Sequence, residues 1–434
     1  MSDERAEAVK RVTDEAKRLG VDGWVNALIG LGRKNYDKSL GGSFELSEVL
    51  SEDLLTQLYI GDGLAKKIID SIADDATRRW FSVDGDVDGK VELELERIGL
   101  QNAVNRAIKW QRLYGGSLIV MGLRDGMDLN RPVARTIRGI DWLRVYSAAE
   151  TQITLADLSM DQKSPYFDDV EVYRIFPTAR EPIEVHHSRC LVFKGDPLPR
   201  DQISRSLELD SWYWGLSEVQ PIWRRLSHFG QIEQGVVNIL LEFVLSIYKL
   251  SNLRELLAEG NDAALYRRMD IIQASKSIIN GVLLGEDEDF SRNMATVAGV
   301  SDVLDRFMML ISGISGIPVT RLFGRSPAGE NATGESDLTN YYDEVASLQR
   351  NWLTPSIMPA IRYVNSYAAN IPDSDLSIEW RALQEPTEKE TLEMRGKQAE
   401  IDERYINLGV MDSAEVRELR IEGGYSFKME VEGE

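Results

Sequence analysis

The feature that most constrains the fold is the stretch GISGIPVTRLFGRSPAGENATGESDL at 313–338, which interrupts two helical segments with glycines, prolines and a polar tip. Before it, Ser301 is placed to cap a helix in which Val303, Leu304, Phe307, Met308, Leu310, Ile311 and Ile314 recur at three- and four-residue spacing. After it, Asp337 is placed to cap a second helix with Leu338, Tyr341, Tyr342, Val345, Leu348 and Trp352 on one side. Connections above roughly 12–15 residues inside a compact domain are usually functional or disordered. Here Pro318 and Pro327 stiffen the backbone, Gly324 and Gly329 allow turns, and Ile317, Val319, Leu322 and Phe323 can pin the base. Arg325 to Gly334 stay as a polar tip.

The chain has 434 residues, 43% of them hydrophobic, enough for two or three domains. No run approaches the roughly 18 apolar residues of a membrane span, and MSDERAEAVKRVTDEAKRLG lacks the apolar centre of a secretory signal. The expectation is a cytosolic chain. Cys190 is alone, which excludes an intrachain disulfide, and His186, His187 and His228 are too few for a cysteine- or histidine-rich zinc site. No cofactor or metal is implied. The balance of 50 basic against 71 acidic residues, net −21, opposes tight capture of phosphates. Two readings of that charge stay open: solubility, or a surface that a polyanion can slide along because it is not gripped.

Taken in order, residues 2–19 suit a short surface helix ended by Gly20, and the glycines at 23, 30, 32, 41 and 42 make an extended arm anchored by Trp24, Leu28, Ile29 and Tyr36. Ser47 or Ser51, then Asp62, can cap two core helices. The DGDVDG segment at 84–89 begins like a calcium loop, but its twelfth position is Leu95 where glutamate is needed, so an acidic hairpin turn is expected. A helix follows to about Leu113, with Leu93, Ile98, Val104, Ile108 and Trp110 apolar. Strands are predicted at 117–123, 141–147, 169–176 and 189–195, a β-rich subdomain among helices. The His186–Ser188 motif is half of a two-histidine phosphoesterase site, and no second His-x-Ser/Thr exists, so a strand end with one packed and one exposed histidine is expected. No GxxxxGK, GxSxG or HExxH motif occurs.

From Leu216 the helical period returns. Ser217 with Gln220 suits a capping box, and Ile222, Leu226, Phe229, Val236, Leu240, Phe243 and Ile247 suggest one helix of roughly 32 residues, about 48 Å, that Gly230 or Gly235 could kink. Polar helices are expected near 252–259 and 262–280. Beyond the central stretch, Pro355 and Pro359 bend or end a helix, 376–383 reads as a returning strand, Thr387 with Glu390 starts a helix to about Tyr405, and Asp412 or Ser413 caps a last one.

GIPVTRLFGRSPAGENATGESDLTNYYD resembles the portal proteins of tailed bacteriophages, in the branch carrying this NATGE loop. The resemblance extends to DGWVNALIGLGRKNYDK at 22–38, DDATRRWF at 74–81, LYGGSLIVMGL at 113–123, HHSRCLVFKGDPLP at 186–199 and WGLSEVQPIW at 214–223, in the family's order. It implies an α+β portal fold that closes into a ring, twelve copies in the virion, through heterologous contacts. The implied parts are an N-terminal arm at 1–42, a wing at 43–215, stem helices at 216–249 and 300–316, and a clip at 250–299. A channel loop at 317–336, a long kinked helix with a returning wing strand at 337–383, and a C-terminal helical crown with an acidic tail at 384–434 complete it.

The implied role is passage of double-stranded DNA during packaging and ejection at one capsid vertex, without catalysis. Implied partners are the major capsid protein, the large terminase subunit, a head–tail connector or adaptor protein, and DNA bound without sequence specificity. No membrane is involved; the chain would reside in the virion, and in host cytoplasm during assembly. Candidate DNA-channel residues are Arg321, Phe323, Arg325, Ser326, Asn331 and Thr333, and candidate clip contacts are Arg254, Arg267, Arg268 and Lys276. A solvated helix face is the alternative for the clip residues. The rival functions are a non-ring virion adaptor or scaffold, and a metal-dependent phosphoesterase resting on the histidine pair and the acidic turn.

Overall fold

The computed structural model describes residues 49–154, 157–163, 167, 169–177, 181–198, 209–241, 244–249, 289–294, 299–324, 334–384 and 388–421. The arm at 1–42 and the polar helices near 252–259 and 262–280 lie outside the described residues. Two helices open the body, α1 (Glu52–Gly61) and α2 (Gly63–Arg78). The Asp62 carboxylate starts α2 by accepting from Leu64 N at 2.8 Å and Ala65 N at 3.0 Å. Ala65, Ile68, Ile69, Ala73 and Ala76 recur at helical spacing, and all are buried.

Strand β1 (Phe81–Asp84) pairs antiparallel with β10 (Ser377–Trp380), so the two halves of the sequence meet here and the expected returning strand is present. The DGDVDG turn is not a hairpin: it leads into α3 (Lys90–Arg97). Asp86 accepts from the N–H groups of Lys90, Val91 and Glu92, so its carboxylate serves the helix end. Leu95, at the twelfth position, is a core residue. The single helix expected up to Leu113 is two, because Gly99 takes a left-handed φ of 69° between α3 and α4 (Leu100–Tyr114). Leu93, read as apolar core, is exposed.

The central sheet is antiparallel in the order β3 (Ile140–Ser147), β2 (Gly116–Leu123), β7 (Cys190–Lys194). A second sheet joins β4 (Thr151–Gln152), β5 (Val172–Ile175) and β6 (Ile183–His186). The four strands expected here all exist, with β5 and β7 a few residues shorter than predicted. Ile119 and Met121 of β2 face the large core built by the helices, while Leu118 and Val120 face a second core with Tyr146, Tyr173, Ile175, Val185 and Trp214.

After α5 (Leu209–Trp214) the expected 32-residue helix is shorter: α6 spans Trp223–Leu241, and β8 (Val244–Lys249) then pairs antiparallel with β9 (Asp289–Met294). The capping box forms only in half: Ser217 Oγ accepts from Val219 N at 3.1 Å while donating to Arg112 O, but Gln220 Oε1 accepts from Leu50 N at 2.8 Å. Helix α7 (Val300–Ser315) starts at Gly299, not at Ser301. Of its predicted apolar stripe Ile311 is buried, whereas Val303, Leu310 and Ile314 are exposed.

A short helix, α8 (Val319–Phe323), precedes α9 (Glu335–Leu348), whose N-cap is Gly334 and not Asp337. The chain continues through a π turn at Gln349–Leu353 into α10 (Thr354–Ala368), which contains Pro359 without ending there. The last helices are α11 (Glu388–Asn407), closed by Gly409 at φ 68°, and α12 (Ser413–Ile421), where Glu415 accepts from Asp412 N. Thr387 lies outside the described residues. Among the described residues no helix is long and apolar enough to cross a membrane.

Inside the sheet region Arg189 and Asp125 form a fully buried ion pair, Nη2 to Oδ2 at 2.6 Å. Arg189 Nε also donates to Arg131 O, and Asp125 accepts from the N–H groups of Met127 and Ala134. Burial opposes ionisation of Asp125, but Arg189 and those two N–H groups outweigh it and hold the carboxyl below its ordinary range. Asp125→Ala is expected to destabilise the fold by about 3–5 kcal/mol near neutral pH, since it strands a buried guanidinium. Because the folded-state pKa is depressed, this stabilisation is present above the unfolded pKa of the group and is lost as pH falls through the folded value. Urea unfolding of both proteins over a pH series should therefore show their difference shrinking towards acid.

Candidate functional site

The site is built where α7 ends and the 313–338 stretch begins. Ser312 Oγ donates to Ile317 O at 2.6 Å, Ser315 Oγ donates to Ser312 O at 3.2 Å, and Ile317 N donates to Ser315 Oγ at 3.3 Å. These hydroxyls turn the chain at Gly316, whose φ of 68° suits glycine. Pro318 then presents its carbonyl to Arg321 N and Leu322 N, which starts α8. Ile317 and Leu322 are buried in the main core, and the Phe323 ring packs against Phe229 of α6 with centroids 6.3 Å apart. The base of the stretch is thus pinned by the apolar residues expected to pin it.

Arg321, an expected channel residue, has its guanidinium paired with the body while its side chain stays 34% exposed. Nε and Nη2 lie 3.0 and 3.3 Å from the two carboxylate oxygens of Asp75 on α2. Asp75 is 2% exposed, and its Oδ2 also accepts from the Tyr341 hydroxyl of α9 at 2.8 Å. The Asp75 contact, opposed by desolvation, raises the pKa of Arg321, and burial raises that of Tyr341, so the pair stays an ion and a neutral donor. Around this point Gln349 Nε2 donates to Ala76 O at 2.8 Å, and Arg78 lies over the Tyr342 ring at 4.7 Å while donating to Leu383 O. Arg112 is buried close by, and its Nε has no hydrogen-bond partner among the described residues. This cluster was not legible in the sequence: Asp75 and Arg321 are separated by 246 positions, and neither belongs to a motif that pairs them.

Arg325, Ser326, Asn331 and Thr333, and the clip candidates Arg254, Arg267, Arg268 and Lys276, lie outside the described residues. The structure therefore brings together Arg321 and Phe323 at the root of the stretch and is silent on the remainder.

The histidine pair that suggested catalysis has structural partners. His186 is buried, its Nδ1 2.9 Å from Ser188 Oγ, and burial lowers its pKa. His187 is half-buried rather than exposed, its ring tilted by 38° against that of His186 with centroids 4.4 Å apart. Ser188 Oγ accepts from Val133 N, so the hydroxyl is tied to backbone. Cys190 is a buried free thiol whose pKa is raised by burial, which keeps it a weak nucleophile. Among the described residues no group of three or more His, Cys, Asp or Glu is placed to hold a metal ion.

The family model described as phage portal protein matches residues 54–404. Among curated proteins, Anti-CBASS protein Acb1 of Caulobacter sp. (strain RHG1) is 29% identical over 391 residues, covering 87% of this chain and 61% of that protein. The protein of the same name from Sphingomonas paeninsulae is 30% identical over 382 residues, covering 85% and 60%. The chain thus spans about three-fifths of the length of these relatives. Among solved structures, the neck of a native gene transfer agent particle, computed with C12 symmetry, shares the fold with a TM-score of 0.50 at 14% identity, covering 87% of this chain and 94% of that one.

Leu322→Ala is expected to destabilise the chain by about 2–5 kcal/mol, the usual range for truncating a fully buried leucine. Phe323→Ala should cost less, since Phe323 is only half-buried. Thermal unfolding of the two variants side by side checks the order.

Proposed function

The chain belongs to the phage portal protein family, and on that premise we propose that it closes into a twelve-membered ring at one capsid vertex and forms the channel for double-stranded DNA. The family is a structural one of the virion. The carrying observation is the family match itself, which runs from α1 into α11 and so takes in both cores and the root of the 313–338 stretch. A second support is the exposed apolar set Val303, Met309, Leu310 and Ile314 on α7. A single protomer leaves it wet; a neighbouring copy meeting it through a different surface, repeated around an axis, would cover it.

In this reading α6 and α7 are the stem, and β8 pairs with β9 of the clip at 250–299, where Arg254, Arg267, Arg268 and Lys276 meet the terminase motor, the connector or DNA. The helices and sheets before α6 form the wing, and α11 and α12 the crown. Arg325, Ser326, Asn331 and Thr333 would face the duplex and touch phosphates rather than bases. The net charge of −21 suits a wall that lets DNA pass. Translocation itself needs a separate ATP-driven motor. The name of the curated relatives belongs to proteins of which about two-fifths lies outside the shared segment; the portal reading rests on the part this chain shares with the family.

Native mass spectrometry with negative-stain imaging is the direct test. A species near twelve times the 49.0 kDa protomer, about 590 kDa, seen as rings with a central hole, is expected. A chain that stays monomeric at high concentration and with capsid protein present would favour the adaptor reading. The double variant Arg325→Ala with Asn331→Ala is expected to assemble normally and to lower the DNA packaged or retained per particle; unchanged packaging would remove the channel-loop assignment.

A further inference from the structure

We infer that the Asp75 carboxylate is the anchor that fixes both ends of the channel stretch, and that Arg321 is a positioning residue for it rather than a contact to DNA. The inference rests on the channel reading of 317–336. α8 ends at Phe323, immediately before residues 325–333, and α9 begins at Glu335, immediately after them. Arg321 of α8 and Tyr341 of α9 converge on the same oxygen, Asp75 Oδ2, at 3.0 and 2.8 Å. One buried carboxylate on α2 therefore sets where the stretch leaves the body and where it returns.

The chemistry suits a fixed joint. Arg321 engages both carboxylate oxygens with its planar fork, which constrains orientation as well as distance. Asp75 has almost no water to fall back on, so losing a partner leaves a buried charge underpaired. Arg78 Nε, 3.9 Å from Asp75 Oδ1, adds a further positive charge from α2 itself. A guanidinium held this way is not free to leave for a phosphate. Phe323 against Phe229 and buried Leu322 hold the same short helix on its apolar sides, so the polar anchor sets direction where packing sets depth.

The test uses the full chain with Asp75→Asn, Arg321→Ala, Arg321→Lys, Tyr341→Phe and the double Asp75→Asn with Arg321→Ala. The direct readout is the rate of cleavage after Glu330 by a glutamate-specific protease, which needs neither a ring nor DNA. The anchor predicts several-fold faster cleavage for Asp75→Asn and Arg321→Ala, no rescue by Arg321→Lys, a smaller change in the same direction for Tyr341→Phe, and a double variant no worse than the worse single. Packaged DNA per particle should fall in the same order.

A phosphate contact predicts otherwise. Asp75→Asn would cleave and package as the wild type, Arg321→Lys would retain function, and Arg321→Ala would lower the salt slope of DNA association by about one. Those results would overturn the anchor. Cleavage unchanged in every variant, Tyr341→Phe included, would overturn it as well. Faster cleavage in the anchor variants with silent Arg325→Ala and Asn331→Ala changes would instead remove the channel reading and leave the anchor standing.

Discussion

Strand β2 is covered on both faces, and that double burial is the constraint on which the described body depends. Ile119 and Met121 enter the helical core while Leu118 and Val120 enter the core of the second sheet, so a one-residue slip would exchange the two sets. Such a strand needs hydrogen-bonded neighbours on both edges, and β3 and β7 supply them antiparallel. Its glycines are spatial requirements. A Cβ on Gly116 would fall 2.2 Å from the Trp214 ring, and one on Gly122 2.2 Å from Trp142. The two indoles can lie across the strand only because nothing projects there.

Around this wall the buried charges are few and closely partnered. Arg189 with Asp125 satisfies its donors and acceptors within the sheet region, and Asp75 does so among three helices. In a medium of low effective dielectric such groups resist rearrangement, since separating them exposes each to an unscreened cost of several kcal/mol. Arg112 departs from the pattern, with burial lowering its pKa and an Nε lacking a partner among the described residues. The Asp75 cluster places such a partnered group where the 313–338 stretch leaves α8, on residues of α2, α8 and α9.

Much of the architecture was legible because it depends on local periodicity. The three strands of the central sheet, β5 of the second sheet, the returning strand at 377–380 and the core helix α2 all followed from alternation or three- and four-residue spacing, whereas β4 and β6 did not. The errors share a cause. Ile247 continues a helical pattern yet stands in the strand β8, where pairing with β9 overrides the period. Ser301, Asp337 and the Ser217–Gln220 pair have good capping chemistry, but Gly299 and Gly334 start α7 and α9 and Gln220 is engaged by Leu50. Leu93 and, on α7, Val303, Leu310 and Ile314 are apolar yet exposed, a distinction that periodicity alone does not contain.

The family resemblance was carried by contiguous blocks, and those are sequence properties: the NATGE stretch and the blocks at 22–38, 74–81, 113–123, 186–199 and 214–223. By itself the sequence determined the fold class, the strand-rich insertion and the helix–stretch–helix frame, because each arises from interactions within about a dozen neighbouring residues. Only the tertiary structure decided what Arg321 touches. A charged side chain in a polar stretch reads as surface until a carboxylate 246 positions away is found against its Nε and Nη2, and that meeting is fixed by how α2, α8 and α9 pack rather than by anything adjacent in the chain.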